Sequence, residues 1–343
     1  MSRALRLLMI AASVSIAGPA AGDDTVLYNG IHLPDVWPPQ RDDLSWEAQT
    51  PPYLEEPPSV IPIDVGRQLF VDDFLIADTT LERVMHRAEY YEGNPVLAPE
   101  ASWERETEGE RAGPCAMPFS DGAWYDPADG LFKLWYHGDY GRVHLCLATS
   151  QDGIHWARPT FDVVPGTNIV MQSAGGARVV WMDLDAEAPD RRFVFITTKG
   201  GKELIPEGAD WWGSHGSLWV AFSPDGIHWS DLQAQRGPTG DRNSAFYSAF
   251  RDVWVMSIRG YEPFADNSSP QRMRRYWELE DLAEGPNWGY GNAPLWTAAD
   301  ADDLTREDQN HVRPQLYNLD GVAYESVLLG LFTIWHGGTG AEE

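Results

Sequence analysis

An all-β chain is predicted by three features of the sequence. Short runs of aromatic and β-branched residues are bounded by Gly, Asp, Asn and Pro, the punctuation of strands and turns. Almost no stretch repeats its apolar residues at 3.6-residue spacing over three turns, which removes the main signal for helix. One unit also occurs twice: Ala148-Thr-Ser-Gln-Asp-Gly-Ile-His-Trp156 and Ala221-Phe-Ser-Pro-Asp-Gly-Ile-His-Trp229 share Ser-x-Asp-Gly-Ile-His-Trp at a separation of 73 residues. Each copy reads as a strand, a tight Asp-Gly turn whose glycine accepts φ > 0, and a second strand opening on a tryptophan. Its expected role is structural.

Arg3 and Arg6, the apolar run from Leu7 to Gly18 and the small residues Ala20-Ala21-Gly22 form a signal for export, so residues 1–22 are expected to be removed and the mature chain to be secreted or periplasmic. No later segment is long and uncharged enough for a membrane span. Residues 23–60 carry Pro34, Pro38, Pro39, Pro51, Pro52, Pro57 and Pro58 without any period, and are expected to form an extended arm. A net charge of −27 argues against a nucleic-acid partner, because that affinity comes from Lys and Arg neutralising phosphates. A neutral ligand suits such a surface better. Cys115 and Cys146 are too few for a disulfide framework and read equally as buried thiols or as one bridge.

From residue 61 to 343 a second recurrence appears. Leu131–Tyr136, Arg192–Thr197, Val253–Ile258 and Leu329–Trp335 each follow a turn and an earlier apolar strand, as second strands of successive four-stranded blades. The blades are expected at Gly113–Pro159, Gly175–Leu232, Asp241–Thr297 and from Val312 onward. This is a β-propeller pattern, expected to be five-bladed and incomplete, with the fourth blade cut short and the fifth largely missing. Ile63–Tyr91, with the apolar run Leu69–Ile76, is expected to supply one or two strands of the closing blade.

In a propeller the innermost strands present their starts to a central channel, so carboxylates there are candidates for acid–base chemistry. Glycoside hydrolysis needs two of them, one ionised and one protonated. Asp121 heads the first inner strand, followed by Asp129-Gly130 and Trp135-Tyr136, while Asn94-Pro-Val-Leu97 and Trp103-Glu104 precede it. In these residues the chain resembles the five-bladed glycoside hydrolases of families 32, 43 and 68, the invertase, arabinanase and levansucrase group. The resemblance covers roughly Val60 to the end and implies that Asp121 is the nucleophile or base. The family's transition-state-stabilising aspartate is expected before Val180, where this chain has Ser173-Ala-Gly-Gly-Ala-Arg178. Asp183 or Asp185 takes that work from another position, or the triad is absent; Arg178 is instead placed to hold a substrate hydroxyl or carboxylate.

Asp241 heads the third inner strand, and Glu325 precedes a long apolar strand in the fourth blade, where burial would keep it protonated unless it is paired. Glu325, with Asp241 second, is therefore the expected proton donor. Trp124, Trp181, Trp211 and Trp212 are expected sugar platforms, and Arg259 a weaker hydroxyl contact. Asp72 or Asp73 lines the channel or is held by backbone amides. His86, His144, His311 and His336 lack ligand spacing, so no catalytic metal is expected, whereas relatives in the resembled group include some with a channel calcium ion. The expected function is an exported hydrolase of a furanoside or related sugar; a non-catalytic carbohydrate-binding propeller is the alternative. A sialidase is a third option, although its Asp-box has one more residue between Asp and Trp and no cluster of arginines is evident in the sequence.

Overall fold

The computed structural model describes residues 26–105, 113–118, 120, 122–139, 141, 143–176, 178–200, 216–266, 268–283, 288, 292–303, 305 and 313–337, without the side chains of Arg178 and Arg236. The expected export signal, Asp121, Trp211, Trp212 and His311 lie outside the described residues. Among the described residues no helix is long and apolar enough to cross a membrane.

Up to residue 122 the described chain forms two single-turn helices, α1 (Pro52–Glu55) and α2 (Ser102–Arg105), and no strand longer than an isolated bridge. The expected strand at Leu69–Ile76 is therefore not made. Phe70 and Val71 stay exposed, so no partner strand covers the run, and Asp72 turns it instead. One Asp72 oxygen accepts the Phe74 N–H at 2.9 Å and the other the Tyr53 hydroxyl at 2.6 Å. Burial first, and then the Asp72 charge, push the Tyr53 hydroxyl up to about 12.

From residue 123 the chain folds into successive antiparallel sheets. The first holds β1 (Ala123–Asp126), β2 (Leu131–His137), β3 (Leu145–Ser150) and β4 (Trp156–Ala157) in chain order, with β5 (Ile169–Met171) also paired to β3. The second holds β6 (Arg178–Met182), β7 (Phe193–Lys199), β8 (Gly216–Ser223) and β9 (Gln233–Thr239). The third holds β10 (Ser244–Ser248), β11 (Val253–Glu262), β12 (Gln271–Leu279) and β13 (Leu295–Ala298). β14 (Gln315–Tyr324) and β15 (Val327–Trp335) pair as a hairpin. The four second strands expected from the sequence are β2, β7, β11 and β15.

Apolar faces of neighbouring sheets pack together. Trp135, Leu147, Val180 and Phe195 share one core cluster, and Val194, Ile196, Trp254 and Met256 another. Each such fully buried side chain contributes roughly 1.5–3 kcal/mol through removal from water. Cys115 and Cys146 are buried in this packing and neither is in a disulfide. On β15, by contrast, Leu331 and Phe332 are exposed.

The strands β10 and β14 run side by side in the same direction. Arg242 Nε donates to the Tyr317 hydroxyl, Ser244 Oγ donates to the Leu319 carbonyl, and Phe246 occupies the space beside Gly321. All three contacts share an offset of 75 residues. Both strands therefore begin at one end of the sheets and finish at the other.

The repeated Asp-Gly units follow β3 and β8 and close on themselves. Ser150 Oγ accepts the N–H groups of Asp152 and Gly153, and one Asp152 oxygen accepts those of Ile154 and His155. Ser223 and Asp225 repeat the pattern. Gly153 and Gly226 both take φ +75°, the left-handed region that disfavours any side chain. They differ in surroundings: a Cβ on Gly153 meets open space, whereas one on Gly226 would fall on the Trp135 ring, whose Nε1 donates to the Gly226 carbonyl at 2.9 Å. Gly153→Ala is expected to cost about 1 kcal/mol, the strain of the turn alone. Gly226→Ala is expected to cost about 3 kcal/mol, because overpacking against a buried indole is added. Urea melts of the two variants check the difference; equal losses would show that the Trp135 contact does not matter.

Candidate functional site at the starts of the inner strands

Among the described residues, a dense set of charged side chains gathers where β10, β12 and β14 begin and β11 and β15 end. The ladder itself assembles it. In the β11–β12 register Arg259 lies directly opposite Arg274, and Tyr261 opposite Arg272. Because alternate residues share a face, Arg272 and Arg274 stand together with Arg259 between the two strands. Like charges directly opposite in a sheet are destabilising, so this arrangement needs compensation.

Part of it comes from Asp241, which leads into β10 and ion-pairs with Arg259. Arg259 is 5% exposed, while the Asp241 side chain keeps 39% of its surface open to solvent. The adjacent Arg242 sits at φ +59°, a left-handed conformation that costs a non-glycine residue roughly 1–2 kcal/mol. That backbone turn lets the Arg242 carbonyl accept Arg274 Nη2 at 2.9 Å while its guanidinium lies 5.7 Å from the Tyr317 ring centre. Arg272 spans the aromatic rim, 5.3 Å from Tyr261, 5.8 Å from Tyr317 and 5.0 Å from Trp335, and donates to Gln315 Oε1 at 2.8 Å. Tyr317 and Trp335 stack at 5.5 Å with an interplanar angle of 23°.

Arg274 is the anomaly. It is fully buried, and it donates to the Ser257 hydroxyl and carbonyl and to the Arg242 carbonyl, none of them charged. Its Nη1 has no hydrogen-bond partner among the described residues. Burial, joined by the repulsion of Arg259, pulls its guanidinium down to about 9 against the opposing pull of Asp320 and Asp241. Burial likewise lowers Arg272, with Arg259 acting in the same direction.

Asp320 completes the group from β14. Its carboxyl is raised above the ordinary range, chiefly by burial, which outweighs Ser120, Arg274, Asn318 and Arg242, all favouring the charged form. Asn318 Nδ2 donates to one of its oxygens at 2.9 Å. Asp241 and Asp320 thus flank one buried guanidinium from two inner strands. One is ion-paired and partly open; the other is half-buried, and that burial raises its carboxyl.

No protein-family model matches the chain, and no curated protein matches it. Among solved structures it is similar to an N-acetylgalactosamine deacetylase from F. plautii in complex with blood group B trisaccharide, at 17% identity over 48% of this chain and 50% of that one, with a TM-score of 0.30. It is similar to the α-L-arabinofuranosidase PaAbf62A of Podospora anserina, at 11% identity over 58% of this chain and 57% of that one, TM-score 0.35. A Penicillium chrysogenum α-L-arabinanase complexed with arabinobiose matches at 14% identity over 70% and 64%, TM-score 0.31. The chain spans about half the length of the first of these and less than two thirds of the other two. Likenesses of this size fix no activity, and the chemistry has to come from the residues.

The other expected site residues are placed as follows. Glu325 is not at an inner-strand start but in the two-residue turn after β14, and it pairs with Arg67 at 3.7 Å. By the 75-residue offset Asp241 is level with Leu316, so Glu325 lies nine residues further along the strand, roughly 30 Å away at strand rise. Carboxylates acting on one glycosidic bond stand within about 10 Å, far less than separates Glu325 from Asp241. Asp320, four residues past the level of Asp241 and roughly 13 Å along the strand, is much nearer, and both it and Asp241 act on the Arg274 guanidinium. Asp183 sits beyond the far end of β6, where its carboxylate accepts the Asp185 N–H at 3.0 Å as a turn residue. Trp124 and Trp181 are not open platforms: they meet edge to face at 4.8 Å, Trp181 meets Trp254 at 5.7 Å, and Trp124 Nε1 donates to the Val180 carbonyl at 2.8 Å. That file of indoles belongs to the packing between sheets. Of the expected residues, Asp241 and Arg259 are brought together; Arg178 begins β6, its side chain outside the described residues. Among the described residues no group of three or more His, Cys, Asp or Glu is placed to hold a metal ion.

Proposed function

We propose that the protein is a carbohydrate-active hydrolase of the five-bladed propeller type, acting at the end where its inner strands begin. The observation that carries this reading is the pair Asp241 and Asp320, two carboxyl groups from neighbouring inner strands that both act on the buried Arg274 guanidinium, the first ion-paired with Arg259 and the second raised by burial. Asp320, in place of the expected Glu325, takes the role of proton donor. As the glycosidic C–O bond breaks, the Asp320 proton passes to the leaving oxygen. An ionised carboxylate, Asp241 or Asp121, draws a proton from the attacking water or itself bonds to the anomeric carbon. The Tyr261, Tyr317 and Trp335 rings around the guanidinium groups supply apolar faces for a sugar ring.

The test is sugar release by Asp320→Asn on two kinds of substrate. With an ordinary sugar leaving group the rate is expected to fall at least a hundredfold, the usual contribution of a positioned acid. With an aryl leaving group that departs without protonation most of the rate is expected to remain. Equal activity of variant and parent on both would remove Asp320 from the chemistry. A binding propeller without turnover is the second reading, favoured by the lack of a carboxylate in Ser173–Arg178 of the second blade. Saturable sugar binding with no product from any glycoside would favour it.

A further inference from the structure

The described site holds four guanidinium groups, Arg242, Arg259, Arg272 and Arg274, against two carboxylates, Asp241 and Asp320. It does so on a chain whose net charge is −27, so this cationic island is not a product of composition. Three further features point to an absent anion. Arg259 and Arg274 are set directly opposite each other in a ladder that any neutral pair would fit with less repulsion. Arg274 is buried without a direct carboxylate partner and leaves Nη1 unused among the described residues. Arg272 also leaves its buried Nε unused, although it is the residue that reaches across the aromatic rim. A buried guanidinium without a counter-charge is costly, and a ligand anion would supply one.

We infer that this site takes a sugar bearing a negative charge, a uronate carboxylate or a sulfate ester, gripped by Arg272 and Arg259 with Arg274 as a fixed positive charge behind them. Planar guanidinium forks match the paired oxygens of either group, and the stacked Tyr317 and Trp335 rings offer the ring-facing surface beside them. The inference rests on the carbohydrate reading for the ligand class, but not on catalysis.

Calorimetric titration of the full chain tests it without any substitution. The probes are an oligosaccharide of hexuronates, its methyl ester, a neutral oligosaccharide of the same length, and the neutral oligosaccharide carrying sulfate. The charged probes are expected to bind at least tenfold more tightly than the neutral one, with the advantage shrinking as salt is raised. The methyl ester should behave as the neutral sugar. Tighter binding of the hexuronate assigns carboxylate, and tighter binding of the sulfated probe assigns sulfate. Arg272→Gln should lose most of the preference and Arg272→Lys only part of it, since Lys keeps the charge and lacks the fork. Equal affinity for the hexuronate and its methyl ester, or preference for the neutral sugar, would overturn the inference. Binding of charged sugar with no bond cleaved would leave it standing while removing the hydrolase reading, so the two fail separately.

Discussion

Replacing Asp126 with Ala is expected to lower the stability of the fold by about 3 kcal/mol. Asp126 is fully buried at the end of β1, and its oxygens meet Lys133 Nζ at 2.6 Å, Arg192 from the second sheet, and the Ala128 N–H at 2.9 Å. Burial alone would raise its carboxyl; Arg192, Lys133 and Ala128 overcome that and hold it far below the usual carboxylate range. Removing one partner of a buried ion pair costs more than the pair contributes, because a charge is left without compensation, typically about 3–5 kcal/mol. The lower end applies here, since Lys133 keeps Asp129 at 2.9 Å and Arg192 is partly solvated. The pH dependence has a definite sign. A carboxyl whose folded pKa is depressed stabilises the fold above its unfolded pKa, about 3.9, and loses that contribution as pH falls further. The gap between parent and Asp126→Ala in urea melts should therefore be full at pH 7 and narrow below about pH 4. A gap that does not change with pH would mean that the loss is one of packing rather than charge.

A loss of about 4 kcal/mol is expected for Glu104→Ala. The α2 turn buries this carboxylate completely, where it accepts the Tyr136 hydroxyl at 2.5 Å, Arg158 Nε at 2.8 Å, and the N–H groups of Glu100 and Ala101 at 2.7 and 3.0 Å. Burial would raise the carboxyl, but Arg158, Tyr136 and the two N–H groups lower it on balance. Asn168 extends the set, donating to the Tyr136 hydroxyl and the Leu147 carbonyl and accepting Trp103 Nε1. Truncation leaves four donors facing a void, each a desolvated group with its bond removed. Glu104→Gln keeps the shape and one acceptor oxygen and should cost less than half as much. Thermal melts of both variants check this; equal losses would mean that shape is irrelevant and charge is the whole effect.

The sequence showed what depends on neighbours in the chain. Turn residues and strand alternation located β2, β7, β11 and β15, and the repeated heptad, because Ser150, Asp152 and their counterparts Ser223 and Asp225 bond within a few residues of themselves. It misplaced what depends on register. Asp320-Gly321 has the composition of a turn, yet it lies inside β14, where Phe246 leaves no room for a side chain at Gly321. The turn falls on Glu325-Ser326 instead, which carries Glu325 to the far end of β14 from Asp241. The arginine cluster was hidden for the same reason. Arg242, Arg259, Arg272 and Arg274 are spread over three elements, and only the β11–β12 pairing and its approach to β14 bring them together. The local signal for Asp320 is that it is the one charged residue of the strand Gln315–Tyr324.

The opposition of Arg259 and Arg274 also bears on how this polypeptide was selected. Over most of the chain, local preference and global fold agree, as in a minimally frustrated landscape. At this rung they conflict: two cations face each other across a ladder, beside a residue held in a left-handed backbone. Conflict of this kind lowers foldability and survives where another requirement outweighs it. The rung is therefore a place where folding alone would have chosen otherwise.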